Sequence, residues 1–167
     1  MPSRSAVVLA SLVALGVGGC GSSRRAPPSP DRITLQRVDR LLSTLTQLEG
    51  QINIDPVNGT TPRKNAEYVR TETPLIDQFG RTSQALSQQV ASLQDAEGAR
   101  LYAPLAEAND RAAKDLGLFL NAVVARDGAG ARRAATQVAE DERRINQVAL
   151  AQLPKARAYA LKLDALS

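Results

Sequence analysis

The chain has 167 residues, one cysteine, no histidine, no tryptophan and 3% aromatics, a length that suits one domain rather than a two-lobed solute-binding protein. Its net charge of +4 shrinks in the part expected to fold, because residues 31–167 carry 18 basic and 17 acidic groups, and nucleic-acid binding needs a basic face and usually stacking aromatics. Without histidine or a second cysteine there is no zinc site of the usual kind, no Glu-x-x-His di-iron motif and no internal disulfide.

Met1–Ser5 carries a single positive charge, Arg4, and Ala6–Val17 is a mostly apolar run. That run has the length of a secretory h-region, roughly 7 to 15 residues, and is too short to span a bilayer, which takes about 20. Val17-Gly18-Gly19-Cys20 closes it, with an aliphatic residue three before the cysteine and two small residues between. This stretch resembles the signal and lipobox of a bacterial lipoprotein. The resemblance implies a cleaved signal over residues 1–19, a diacylglyceryl thioether on Cys20 and often acylation of the new amino terminus. Two or three chains hold a soluble domain at a membrane stably where one does not. The alternative is a secreted protein cleaved elsewhere, with Cys20 a stray thiol.

Such a protein sits at the cell envelope. It lies on the outer face of the cytoplasmic membrane or, in a cell with two membranes, at the outer membrane, which Gly21 in place of Asp would permit. Arg24-Arg25 follows the apolar run, so it is no twin-arginine signal. It reads as linker charge, or as about 1 kcal/mol per Arg of attraction to anionic headgroups.

Residues 20–30 form a lipidated end and a Pro/Ser/Arg linker with a reach of about 3.1 Å per residue. Residues 31–167 are expected to form an all-α domain. Asp31 offers an N-cap, and Leu35, Val38, Leu41, Leu42, Leu45, Leu48 and Ile52 repeat at helical spacing. Asp55–Gly59 is turn chemistry, and Thr61-Pro62 opens helix 2. Val69, Ile76, Phe79, Ser83, Leu86, Val90 and Leu93 hold its heptad pattern, with Pro74 expected to kink or break it. Gly98 is the expected turn. Leu101, Leu105, Ala108, Ala112, Leu116, Phe119, Leu120 and Val123 mark helix 3, with Pro104 near its first turn, and Asp127–Gly130 ends it. Ala134, Ala135, Val138, Ile145, Val148, Ala149 and Gln152 or Leu153 mark helix 4, which Pro154 should interrupt before a short C-terminal helix, 155–166.

Four long helices joined by short turns predict an up-down-up-down four-helix bundle. Folding helices 2 and 3 back near Ala99 sets Leu93 against Leu105, Val90 against Ala108, Leu86 against Ala112 and Phe79 against Phe119. Folding helices 3 and 4 back near Ala129 sets Leu120 against Val138, Val123 against Ala135 and Ala112 near Ile145 and Asn146. Glu142, near Leu116, breaks that apolar run and is expected to bridge Lys114 or Arg111, since a lone buried carboxylate is costly. Helix 1 is expected beside residues 62–83, leaving 155–166 to cover the other end.

Glu107-x-x-Asp110 and Glu140-Asp141-Glu142-Arg143-Arg144 are the only paired carboxylates considered for acid/base work. The interspersed Arg111, Lys114, Arg143 and Arg144 favour surface ion pairs instead. Asn58-Gly59-Thr60 fits a glycosylation triplet but sits where a turn is needed. Ala156, Tyr159, Ala160, Leu163 and Leu166 form a weak apolar stripe, suited to the bundle or, less well, to a membrane surface. Tyr68 and Tyr102 are expected towards opposite ends, as rim contacts or surface residues.

No catalytic, cofactor or metal residues are assigned. The expected function is a non-enzymatic scaffold, accessory or sensor module, held at the membrane through Cys20 and binding a protein partner, with no nucleic-acid partner. The alternative is a small-molecule or lipid binder, with its pocket where Ala108, Ala112 and Ala135 leave space or where Pro74 opens helix 2.

Overall fold

The computed structural model describes residues 29–54 and 62–165. It is an all-helical bundle: α1 (Pro30–Gln51), α2 (Pro62–Ala91), α3 (Ala96–Val124) and α4 (Gly128–Ala165). The signal, Cys20, the linker to Pro28, the Asn58-Gly59-Thr60 triplet and Leu166 lie outside the described residues.

Ser29, not Asp31, caps α1: its side chain accepts from the Arg32 amide (3.3 Å) and Pro30 takes the first helical position. Asp31 is released to cap elsewhere. Its Oδ1 accepts from the Gln94 amide and its Oδ2 from the Asp95 amide, both at 2.9 Å, tying the start of α1 to the α2–α3 turn. At the other end of α1, the Asn53 amide donates to Glu72 Oε2 (3.0 Å), and the Tyr68 hydroxyl donates to the Asn53 carbonyl. Helix α1 therefore lies beside the C-terminal two thirds of α2, and the expected stretch 62–83 overlaps that region only in its second half. The connection after Gln51 is long enough to let α2 begin beyond the end of α1, and a smaller cluster of Tyr68, Phe119, Val123 and Ala131 closes that end.

The α2–α3 turn falls at Ser92–Asp95 rather than at Gly98. Being earlier than expected, it slides the pairing by about one helical turn. Phe119 meets Tyr68 edge-on (6.2 Å, 81°), and Phe79 packs with Ala112 and Leu116. The α3–α4 register runs as expected, with Ala112 and Leu116 level with Ile145 and Glu142. Their joint is only Ala125–Asp127, a Schellman turn in which Asp127 N donates to Ala122 O (2.9 Å) and Arg126 N to Val123 O (3.1 Å). Arg126 takes the left-handed position, φ 58°. Asp127 Oδ1 then accepts from the Ala129 and Gly130 amides (3.1 and 2.8 Å), so Gly128 and Gly130 start α4 instead of separating two helices.

Neither Pro74 nor Pro154 ends a helix. Residues 155–165 are the last turns of α4, not a separate short helix. Each proline removes one donor and leaves one carbonyl, that of Arg70 or Leu150, without its helical partner. Both prolines, and the residues bearing those carbonyls, are exposed, so water replaces the lost bond. The apolar contacts on either side, Ala149 before Pro154 and Ala156 and Tyr159 after it, outweigh what remains of the cost. The stripe on 156–163 packs on the bundle.

Pro154→Ala restores the donor at an exposed position, so unfolding stability should rise by roughly 1 to 3 kcal/mol, read as a higher denaturant midpoint. A fall would mean that α4 depends on the ring.

Candidate functional site

Three polar arrangements lie within or on the apolar bundle. At the end where α1 starts, Asp95 caps α3, with Oδ1 accepting from the Glu97 amide (2.9 Å) and Oδ2 from the Tyr159 hydroxyl (2.6 Å). The Tyr159 hydrogen bond, then the Glu97 amide, hold the Asp95 carboxyl below its usual range, while burial and Asp95 raise the Tyr159 hydroxyl. Gly98 sits under that ring. A Cβ there would lie 3.0 Å from Tyr159, so close approach within α3, and not a turn, explains the glycine. Arg32 pairs with Asp164 at 2.8 Å and Lys162 with Glu97 at 3.9 Å, both partly or well exposed. These contacts fasten α1, α3 and α4 together and show no reactive group.

In the middle of the bundle, Asp110 accepts from Ser83 Oγ (2.5 Å) and Ser87 Oγ (2.6 Å), which spends it on holding α2 to α3. The buried carboxylate of α4 is Asp141, 1% exposed, and not Glu142. Arg111 Nε donates to Asp141 Oδ1 at 3.1 Å, so the arginine expected to bridge Glu142 serves its neighbour. Asp141 Oδ2 is buried without a donor, and the Asp115 carboxyl is within hydrogen-bonding reach of the same group. When Asp141 is protonated, a proton between the two carboxyls would satisfy that oxygen. Burial first, then Asp115, push Asp141 up to about 6 against the pull of Arg111 and Arg144.

On the α1–α4 side, Glu49 and Glu142 stand at a cavity lined by Ile52, Ile54, Phe79, Ala112, Leu116, Val138 and Ile145. Burial, then the Glu142 charge, raise the Glu49 carboxyl to about 7. Two carboxylates, one titrating near neutrality, have the composition of an acid/base pair. The volume decides against that use: about 20 Å³ holds one water and no substrate. Further along, Tyr102 hydrogen-bonds to Asp39, whose carboxyl burial raises against the effects of Tyr102 and Arg157. Tyr68 and Tyr102 are both buried, at 7% and 2% exposure, and are not rim residues.

A broad, half-open cleft of about 330 Å³ lies between α3 and α4, in volume at the lower end of the roughly 300 to 1,000 Å³ usual for ligand pockets. Helix α3 contributes Pro104, Glu107, Ala108 and Arg111, spaced along one face, and α4 contributes Arg144 and Val148. Among the described residues, Glu107 and Arg144 make no ion pair or hydrogen bond, although the Arg144 charge acts on Asp141. The remaining candidates are structural or solvated: Glu140 Oε2 accepts from Gln137 (3.3 Å), Arg143 Nε donates to the Ala139 carbonyl (3.1 Å) and Lys114 is exposed.

Among the described residues, no group of three or more potential metal-ligating side chains could hold an ion. No described helix is long and apolar enough to cross a membrane. The fold and these sites define an all-helical bundle with an amphipathic surface cleft. Compared with known proteins, the chain matches no family model, no curated protein and no solved structure.

The Asp115–Asp141 pair makes stability depend on pH with a definite sign. Because the folded pKa of Asp141 is raised, its favourable contribution is full below pH 4 and is lost as pH rises to about 6. Asp141→Asn is a permanent analogue of the protonated form, able to accept from Arg111 and donate to Asp115. It should remove this pH 4–6 fall and be at least as stable as the native chain at pH 7.5, by chemical denaturation. A large loss of stability at pH 7.5 would mean that the ionised carboxylate is required. Arg111→Ala takes away the half-exposed partner of a buried carboxylate and should cost roughly 1 to 3 kcal/mol at that pH.

Proposed function

We propose that the chain is a bacterial lipoprotein, anchored through lipid on Cys20 at the cell envelope, whose folded part is a non-enzymatic accessory or sensor module that docks a protein partner. The observation that carries this reading is the placement of the only cysteine, which directly follows an apolar run of h-region length and two small residues. The bundle is up-down-up-down. In support, Asp31 joins the start of α1 to the end of α2, Arg32 joins it to Asp164 at the end of α4, and Asn65 at the start of α2 donates to the Val123 carbonyl at the end of α3 (2.7 Å). The linker of about ten residues thus enters at the end formed by the start of α1 and the end of α4, and holds that end within roughly 30 Å of the lipid.

The test is crosslinking in living cells, affinity capture from solubilised membranes and mass spectrometry, with Cys20→Ser as the unanchored control. One protein recovered in stoichiometric amount with the anchored form alone supports the reading. Equal recovery with both forms, or recovery of no protein, overturns it.

The α3–α4 cleft favours a second reading, a small-molecule binder, because it opens beside Ala108, where small residues were expected to leave space. Its apolar walls with two guanidiniums and one carboxylate suit a small amphipathic anion or zwitterion. A ligand that fills it should raise the melting temperature in proportion to its occupancy, and Arg144→Ala should abolish that rise without changing the unliganded melt.

A further inference from the structure

The near neutrality of the folded part hides a separation of charge. The end remote from the start of α1 is built from the first turns of α2, the α3–α4 joint and the first turns of α4. Asn65 and Tyr68 of α2 contact Val123 and Phe119 of α3, and Ala131 of α4 belongs to the same cluster. Among the residues whose side chains are described, these segments carry four cationic residues, Arg70, Arg126, Arg132 and Arg133, against Glu67 and Asp127. Arg70, Arg126, Arg132 and Arg133 are exposed, and none makes an ion pair among the described residues. The Asp127 carboxylate is committed to backbone amides.

Arg126 is the only described non-glycine residue with positive φ. The C′ position of a Schellman turn is where glycine is cheapest, and a side chain there costs about 1 kcal/mol. The chain keeps a guanidinium at the tip of the end instead.

We infer that this basic end docks a polyanionic polymer of the cell envelope, one bearing phosphate or carboxylate groups along a polysaccharide. Arginine's planar fork matches both groups bidentately. The choice of polymer over lipid headgroups rests on the anchored reading above. The tether enters at the opposite end, and α4, 38 residues long, spans about 57 Å at 1.5 Å per residue. With α4 standing along the membrane normal, the basic end would lie that far beyond the tethered end, at the depth of wall polymer.

The test is cosedimentation of the purified full-length protein with intact peptidoglycan sacculi that retain their anionic polymers, at 50 and 300 mM NaCl. The expected result is binding at low salt that falls at least tenfold at high salt, and at least tenfold in Arg126→Gln/Arg132→Gln/Arg133→Gln. The tether-end triple Arg37→Gln/Arg100→Gln/Lys155→Gln should bind like the native chain. Arg126→Gly serves as the second variant, because it relieves the left-handed backbone while deleting the charge. It should melt higher yet bind more weakly, which separates binding from folding. Cys20→Ser should bind sacculi normally in this assay, so failure here leaves the anchor untouched, whereas failure of the anchor alone removes the argument for polymer over lipid headgroups and is read separately from sacculus binding. Equal losses in both triples, no binding, or preference for phosphatidylglycerol vesicles or single-stranded DNA over sacculi would overturn the proposal.

Discussion

The antiparallel α3–α4 interface is the constraint on which the other contacts depend. It is pinned at three heights: by the Ala125–Asp127 joint, by Arg111 on Asp141 in the middle and by Tyr159 over Gly98 at the far end. The last of these shows the dependence most clearly. A hydrogen in place of a side chain at residue 98 lets the Tyr159 ring lie against α3, which brings its hydroxyl to Asp95. Asp95 caps α3, and its own amide is held by Asp31 of α1. One missing Cβ thus leads, through two carboxylates and a phenol, to the placement of the first helix.

The polar groups in this interior act as register marks. Glu72 receives the Asn53 amide, Asn65 reaches the Val123 carbonyl, the serine pair reaches Asp110 and Asp141 meets Arg111 and Asp115. Buried polar groups are expensive when unpaired, so a helix slipped by one turn would strand several of them. That argument concerns specificity more than stability, since well-packed apolar replacements for buried ion pairs are often neutral or stabilising. The raised carboxyls of Glu49 and Asp141 are the residual cost of this arrangement.

The four long helices, their apolar faces and the α3–α4 register were legible from spacing, because a long 3.6-residue periodicity leaves little freedom once the turns are short; the separate fifth helix expected after Pro154 was not. The errors share one cause: local signals were trusted where tertiary contacts overrode them. Gly98 and Pro154 read as breaks but lie in helices, one because a ring packs on it and the other because it is exposed. Asp31 read as a cap for its own helix and caps a different turn. Asp141 was missed although the spacing contained it, since Val138, Asp141 and Ile145 continue one heptad face. Glu72 occupies the same kind of place between Val69 and Ile76. A charged residue on an otherwise apolar heptad position was the available signal for a buried, partnered carboxylate. The basic end had no counterpart in composition, because summing charge along the chain cancels what folding separates.

Functionally, the proposed account is of a bundle held by one end, with most of its apolar side chains buried, a modest cleft on one flank and cationic charge at the end away from the tether. In the proposed reading, the anchor would set how the cleft and the charge face the envelope. The most direct measurement of that claim is the intact mass of the protein extracted from the membranes of its native cell. The account predicts a mature chain beginning at Cys20 and carrying a diacylglyceryl group, with or without an added amide-linked acyl chain. A chain that retains residues 1–19, or that begins elsewhere with no lipid on Cys20, would contradict it.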